Sequence, residues 1–233
     1  MQVKTKPITS YIQAWDEIHG PEGFAAEADI WFKKNFPDGH ETSLKPFAEM
    51  MLSEIKAKGY IEPPSVVPSK RDSCVFHPKA LELLLEYGVD YAPDIKKIKF
   101  FRELGKEPKL GGCFGNSWQL MEVVNSGSNG DDLRKIVYAE GLVWGLFTVP
   151  ALHAWNSYSL SDTRAADWTQ YIGCQWNRYL GIAFTETEFD CLRNIVFPNE
   201  PRRPISVFDL HYFPFFEEKI IQILASRAAP IAS

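Results

Sequence analysis

At residue 111 the hydrophobic pattern of this chain changes period. Before it, apolar residues recur at helical spacing. Ser43 opens a stripe of Leu44, Phe47, Met51 and Ile55, His77 to Tyr87 holds the leucine-rich LELLLEY, and Asp94 precedes Ile95, Ile98 and Phe101 ahead of Gly105. Pro21 opens a further such stretch through Ala25, Ala28, Trp31 and Phe32, and the Pro-rich IEPPSVVPSKRDS reads as a loop. After Gly111-Gly112 comes one more helix, Cys113 to about Asn125, closed by SGSNG, and then short alternating segments bounded by turns. Lys135–Gly145, His153–Tyr158, Arg164–Trp168 and Tyr179–Phe184 read as strands. Thr185 and Glu188 form a capping box that starts a helix bearing Phe189, Leu192 and Ile195, and a last helix runs from about Phe215 to Ser226. The pattern therefore predicts an α+β fold, with a helical N-terminal portion over 1–107 packed on an α+β core over 108–233.

Charge and cysteine usage narrow the function classes. A formal net charge of -5 argues against a nucleic-acid partner, which needs a concentrated basic surface. The one basic cluster, Lys96, Lys97, Lys99 and Arg102, reads as the solvated face of a helix. No stretch approaches the apolar length of a membrane span, and the N-terminus has no continuous apolar signal region. The 4 cysteines, Cys74, Cys113, Cys174 and Cys191, lie far apart without CxxC spacing, which suggests reduced thiols rather than a disulfide framework. A soluble cytoplasmic chain is expected, with no membrane partner, no metal and no cofactor. A zinc site from Cys113, His153 and Cys174 lacks paired ligand spacing.

One constellation stands out. A nucleophilic thiol needs an electropositive setting, a base within reach and a group that orients the base. Cys113 follows a Gly pair at a helix start, where the dipole and free backbone N–H groups favour a thiolate and an oxyanion. His153 supplies the base. If 153–158 and 164–168 pair antiparallel about a turn near Leu160 to Asp162, Asp167 falls close to His153 and orients it. Asp162 and Asn156 are the rival orienting groups. Gly112, Asn116, Trp155 and Asn156 are candidate substrate or oxyanion contacts, while Trp118, Trp144 and Trp168 read as core.

The order Gly111-Gly112-Cys113, then Leu133 to Gly141, then His153-Ala154-Trp155, then Asp167-Trp168-Thr169 resembles the transglutaminase-like branch of the papain-like cysteine enzymes. The likeness covers roughly residues 108 to 184. It departs where Trp168 stands in place of the usual Pro and where Asn156-Ser157 follows HAW. What the resemblance implies is a papain-like or transglutaminase-like core, in which a nucleophile helix packs on an antiparallel sheet. It also implies thiol chemistry on an amide bond of a protein or peptide, by hydrolysis, deamidation or cross-linking. The competing expectations are an inactive scaffold that binds a protein partner, and a metal-dependent hydrolase using the same cleft.

Overall fold

The computed structural model describes residues 43–58, 77–94, 112–127, 135–145, 151–169, 176–200 and 204–228. The helices expected over 21–32 and after Asp94, the Pro-rich loop, the lysine cluster, Gly111, Cys74 and Cys174 lie outside them. The described residues form an α+β fold of five helices and five strands: α1 (Lys45–Lys58), α2 (Ala80–Tyr87), β1 (Val89–Pro93), α3 (Cys113–Gly127), β2 (Val137–Gly145), β3 (Ala151–Ser157), β4 (Arg164–Ala165), β5 (Trp176–Phe184), α4 (Glu186–Val196) and α5 (Phe213–Ala228).

The helix starts follow local chemistry. The Ser43 hydroxyl accepts from Lys45 N at 3.0 Å, and the stripe it introduces is buried throughout. Thr185 and Glu188 close the full capping box, Thr185 Oγ1 accepting from Glu188 N and Glu188 Oε2 from Thr185 N. Phe189 and Leu192 of α4 are buried, but Ile195 is 45% exposed. The stripe that faces the core passes through Arg193 instead, whose guanidinium lies 5.9 Å over the Trp118 ring.

The sheet has the order β3-β2-β5-β1-β4. The first three interfaces are antiparallel, while β4 joins β1 in parallel through Ala92–Arg164 and Pro93–Ala165. β1 thus comes from the helical N-terminal portion and completes a sheet otherwise built after residue 135. Its sequence VDYAP buries only Tyr91, so it carries no alternation from which a strand could be read.

The segment 164–168 departs from the expected hairpin. Only Ala166 bridges β3, exchanging both backbone hydrogen bonds with Asn156. Beyond it Asp167 Oδ1 accepts from Thr169 N at 2.9 Å, an Asx-type turn that bends the chain and ends the strand. That single bridge brings the free edge of β4 against β3, so the sheet curls until its edges meet.

Alternation then separates two cores. Inside the curl, all five strands contribute to one cluster: Tyr91, Val137, Ala139, Val143, Trp155, Ala165, Tyr179 and Ala183. Tyr138, Leu142, Leu152, Ala154, Leu180 and Phe184 instead join a larger cluster with α1, α2, α3, α4 and α5. Gly141 and Gly181 face each other across β2 and β5. A Cβ on Gly181 would stand 2.4 Å from the Trp155 ring, and one on Gly141 would stand 2.1 Å from the Leu180 carbonyl oxygen, so both positions require glycine by close approach.

Candidate active site

Cys113 is the first residue of α3, and the helix begins with Asn116 N donating to the Gly112 carbonyl at 2.7 Å. The first N–H groups of a helix have no partner within it, and the Cys113 thiol at this helix start is not in a disulfide. α3 lies against β3 and is pinned there by Asn156, whose Nδ2 donates to Ser117 O at 3.0 Å and to Val137 O at 3.2 Å. Asn125 fastens the other end, its Oδ1 accepting from Ile136 N and its Nδ2 donating to Ile136 O and Glu186.

His153 sits on β3 opposite Gly141. Its Nε2 is 2.8 Å from Asp167 Oδ2, and both residues are buried, His153 at 4% exposure and Asp167 at 0%. The Cys113 thiol is within hydrogen-bonding reach of the same imidazole and acts on it as a charge. The three residues that the sequence pattern singled out are therefore brought together. Cys113 and His153 are both buried, at 8% and 4% exposure, and Asp167 is sealed in the core.

The electrostatics follow from that burial gradient. Removing the ring from water pushes the His153 pKa down, but the Asp167 carboxylate and the Cys113 thiol outweigh it through charge and hydrogen bonds, and the value rises from 6.5 to about 10. The imidazolium is the favoured form at neutral pH. An imidazole that stays protonated between two acids is the partner a thiolate needs.

The rival orienting groups have other partners. Asp162 is bound by Arg164 on the surface, which holds its carboxyl below the usual range. Asn156 spends its Nδ2 on α3 and β2, and its Oδ1 has no hydrogen-bond partner among the described residues. Trp155 is fully buried between Tyr91 and Tyr179, with ring centroids 5.4 Å and 5.0 Å away. Trp155 and Asn156 thus lie in the packed interior. Asn116 is buried on the first turn after Cys113.

Two neighbours escaped the sequence reading. Tyr179, on the central strand β5, donates its hydroxyl to Asp167 Oδ2 at 3.0 Å. Glu140, on β2 and fully buried, accepts from four donors. Oε1 takes Ser206 Oγ and Phe208 N, and Oε2 takes Tyr138 Oη and Val207 N. The segment so held packs Pro204 against Gly115 in the first turn of α3. A glutamate inside the apolar run KIVYAEGLVWG was the available signal, since a carboxylate in a strand core needs donors to be there at all.

Among the described residues no group of three or more His, Cys, Asp or Glu is placed to hold a metal, and no helix is long and apolar enough to cross a membrane. Comparison with protein-family models, with curated proteins and with solved structures finds no match for this chain.

Proposed function

We propose that this chain is a thiol-dependent hydrolase or acyltransferase acting on amide bonds, with Cys113 as nucleophile, His153 as acid and base, and Asp167 as the group that orients the imidazole. The observation that carries this reading is one buried imidazole that meets a buried carboxylate at 2.8 Å and whose charged form is favoured by that carboxylate and by the helix-start thiol. The resemblance to the papain-like and transglutaminase-like enzymes adds to it, because the same residue types follow in the same order.

In the proposed reaction the Cys113 sulfur attacks the carbonyl carbon, and the charge that develops on oxygen is received by backbone N–H groups at the start of α3. The carbon–nitrogen bond breaks as the His153 imidazolium gives its proton to the departing amine. A water or an amine then attacks the thioester, His153 takes a proton from it, and the thiolate leaves. Asp167 keeps the ring in one tautomer and orientation. No cofactor is called for, and the substrate class is a protein or peptide amide.

The test is to trap the thioester. The protein is mixed with an activated ester such as p-nitrophenyl acetate, quenched in acid and digested for mass spectrometry. An acyl group on Cys113, absent in Cys113→Ser and in His153→Ala, supports the proposal. No acylation of Cys113, with turnover that survives Cys113→Ser and falls on chelation, would replace it with a metal-dependent reaction. No acylation and no turnover would leave a binding scaffold.

A further inference from the structure

We propose that the hydroxyl of Tyr179 is a positioning group of this relay, which holds Asp167 in the orientation that His153 requires. Asp167 is fully buried and its two oxygens have three donors of separate origin. Oδ1 takes Thr169 N at 2.9 Å from its own turn, and Oδ2 is shared by His153 Nε2 at 2.8 Å and the Tyr179 hydroxyl at 3.0 Å. The Thr169 bond is local and fixes one oxygen, so the turn of the carboxylate about that anchor is set by what holds Oδ2, and Tyr179 holds it from outside the turn together with the imidazole.

The position of Tyr179 suits that task. It lies on β5, paired with Tyr91 of β1 on one side and Val143 of β2 on the other, and its ring meets Trp155 edge-on at 5.0 Å. The hydroxyl is therefore carried by the most enclosed strand of the sheet rather than by a loop. A phenylalanine would fill the same space in the inner cluster. What the phenol adds is a neutral donor to the oxygen that His153 also uses. Tyr179 acts through Asp167.

The role rests on the proposed thiol reading only where reactivity is measured, so the test carries one arm that does not. In Tyr179→Phe, titration of the His153 ring, followed by NMR on histidine-labelled protein and assigned with His153→Gln, moves to lower pH by about one unit. Alkylation of Cys113 by iodoacetamide at neutral pH slows about tenfold, the loss expected for one hydrogen bond to a buried charge. In an Asp167→Asn background, adding Tyr179→Phe produces no further change in either readout, because the two groups act as one unit. A lower melting temperature with an unmoved His153 titration means that the hydroxyl only packs, and overturns the inference. So does a titration that moves upward, which would mean that the hydroxyl merely weakens the field of Asp167. If the titration moves as stated while Cys113 is unreactive even in the parent protein, the positioning stands and the catalytic reading falls.

Discussion

Replacing Glu140 by Gln tests the buried clasp at atomic detail. The carboxylate presents two acceptor oxygens to two backbone N–H groups, Phe208 at 3.0 Å and Val207 at 3.1 Å, and to the hydroxyls of Tyr138 and Ser206. A hydroxyl can turn and accept; a backbone N–H cannot. Whichever way the amide is placed, its NH2 meets one of those N–H groups and orphans it, at a cost of about 1–3 kcal/mol.

A protonated carboxyl avoids this, since its O–H donates to a hydroxyl and both oxygens still accept. Burial pushes the Glu140 pKa up more strongly than the hydrogen bonds from Ser206, Tyr138, Phe208 and Val207 pull it down, from 4.5 to about 7. The folded value lies above the unfolded one. The stability from protonated Glu140 is thus fully present below pH 4.5 and is lost as pH rises through about 7, a total on the order of 3 kcal/mol. Gln has no such loss. Urea unfolding followed by tryptophan fluorescence should find the variant less stable at pH 5, with the deficit closing or reversing by pH 8. A deficit that widens with pH would mean that the four donors hold the anion and that burial does not prevail.

Three further outcomes follow from the same structure. Gly181→Ala drives a methyl into the Trp155 ring and within 2.7 Å of the Glu140 carbonyl oxygen, and should lower stability by about 1–3 kcal/mol in chemical denaturation. Thr185→Ala removes the hydroxyl that accepts from Glu188 N at the start of α4, and about 1 kcal/mol should be lost in the same assay. His153 has a folded pKa raised from 6.5 to about 10, so its stabilisation is complete below 6.5 and lost as pH rises through about 10. His153→Gln should therefore flatten the decline of stability between those limits, and an unchanged decline would assign it to other groups.

What could be read in the sequence was what is local or periodic. Ser43 and the Thr185–Glu188 box mark their helix starts because the bonds span two or three residues, and α3, β2, β3 and β5 show in the spacing of their apolar side chains. The approach of His153 to Asp167 was legible through the short segment between them. Features that depend on distant partners left no such trace. β1 has one buried residue, and β4 pairs in parallel with it rather than forming a full hairpin with β3. Asp167 bends the chain where a strand was expected to continue. Tyr179 looks like any aromatic strand residue until the curl of the sheet delivers Asp167 to its hydroxyl. The four donors of Glu140 come from Tyr138 on its own strand and from the 206–208 segment far along the chain.

The central claim is that sulfur, imidazole and carboxylate work as one unit, and competitive alkylation reads it most directly. Native protein is treated with limiting iodoacetamide near neutral pH, and the modification of each cysteine is followed over time by mass spectrometry in the parent, His153→Ala and Asp167→Asn. The account predicts that Cys113, though 8% exposed, reacts faster than the exposed Cys191, and that either substitution removes this advantage. A Cys113 that reacts more slowly than Cys191 in the parent, or at a rate indifferent to His153, would contradict it.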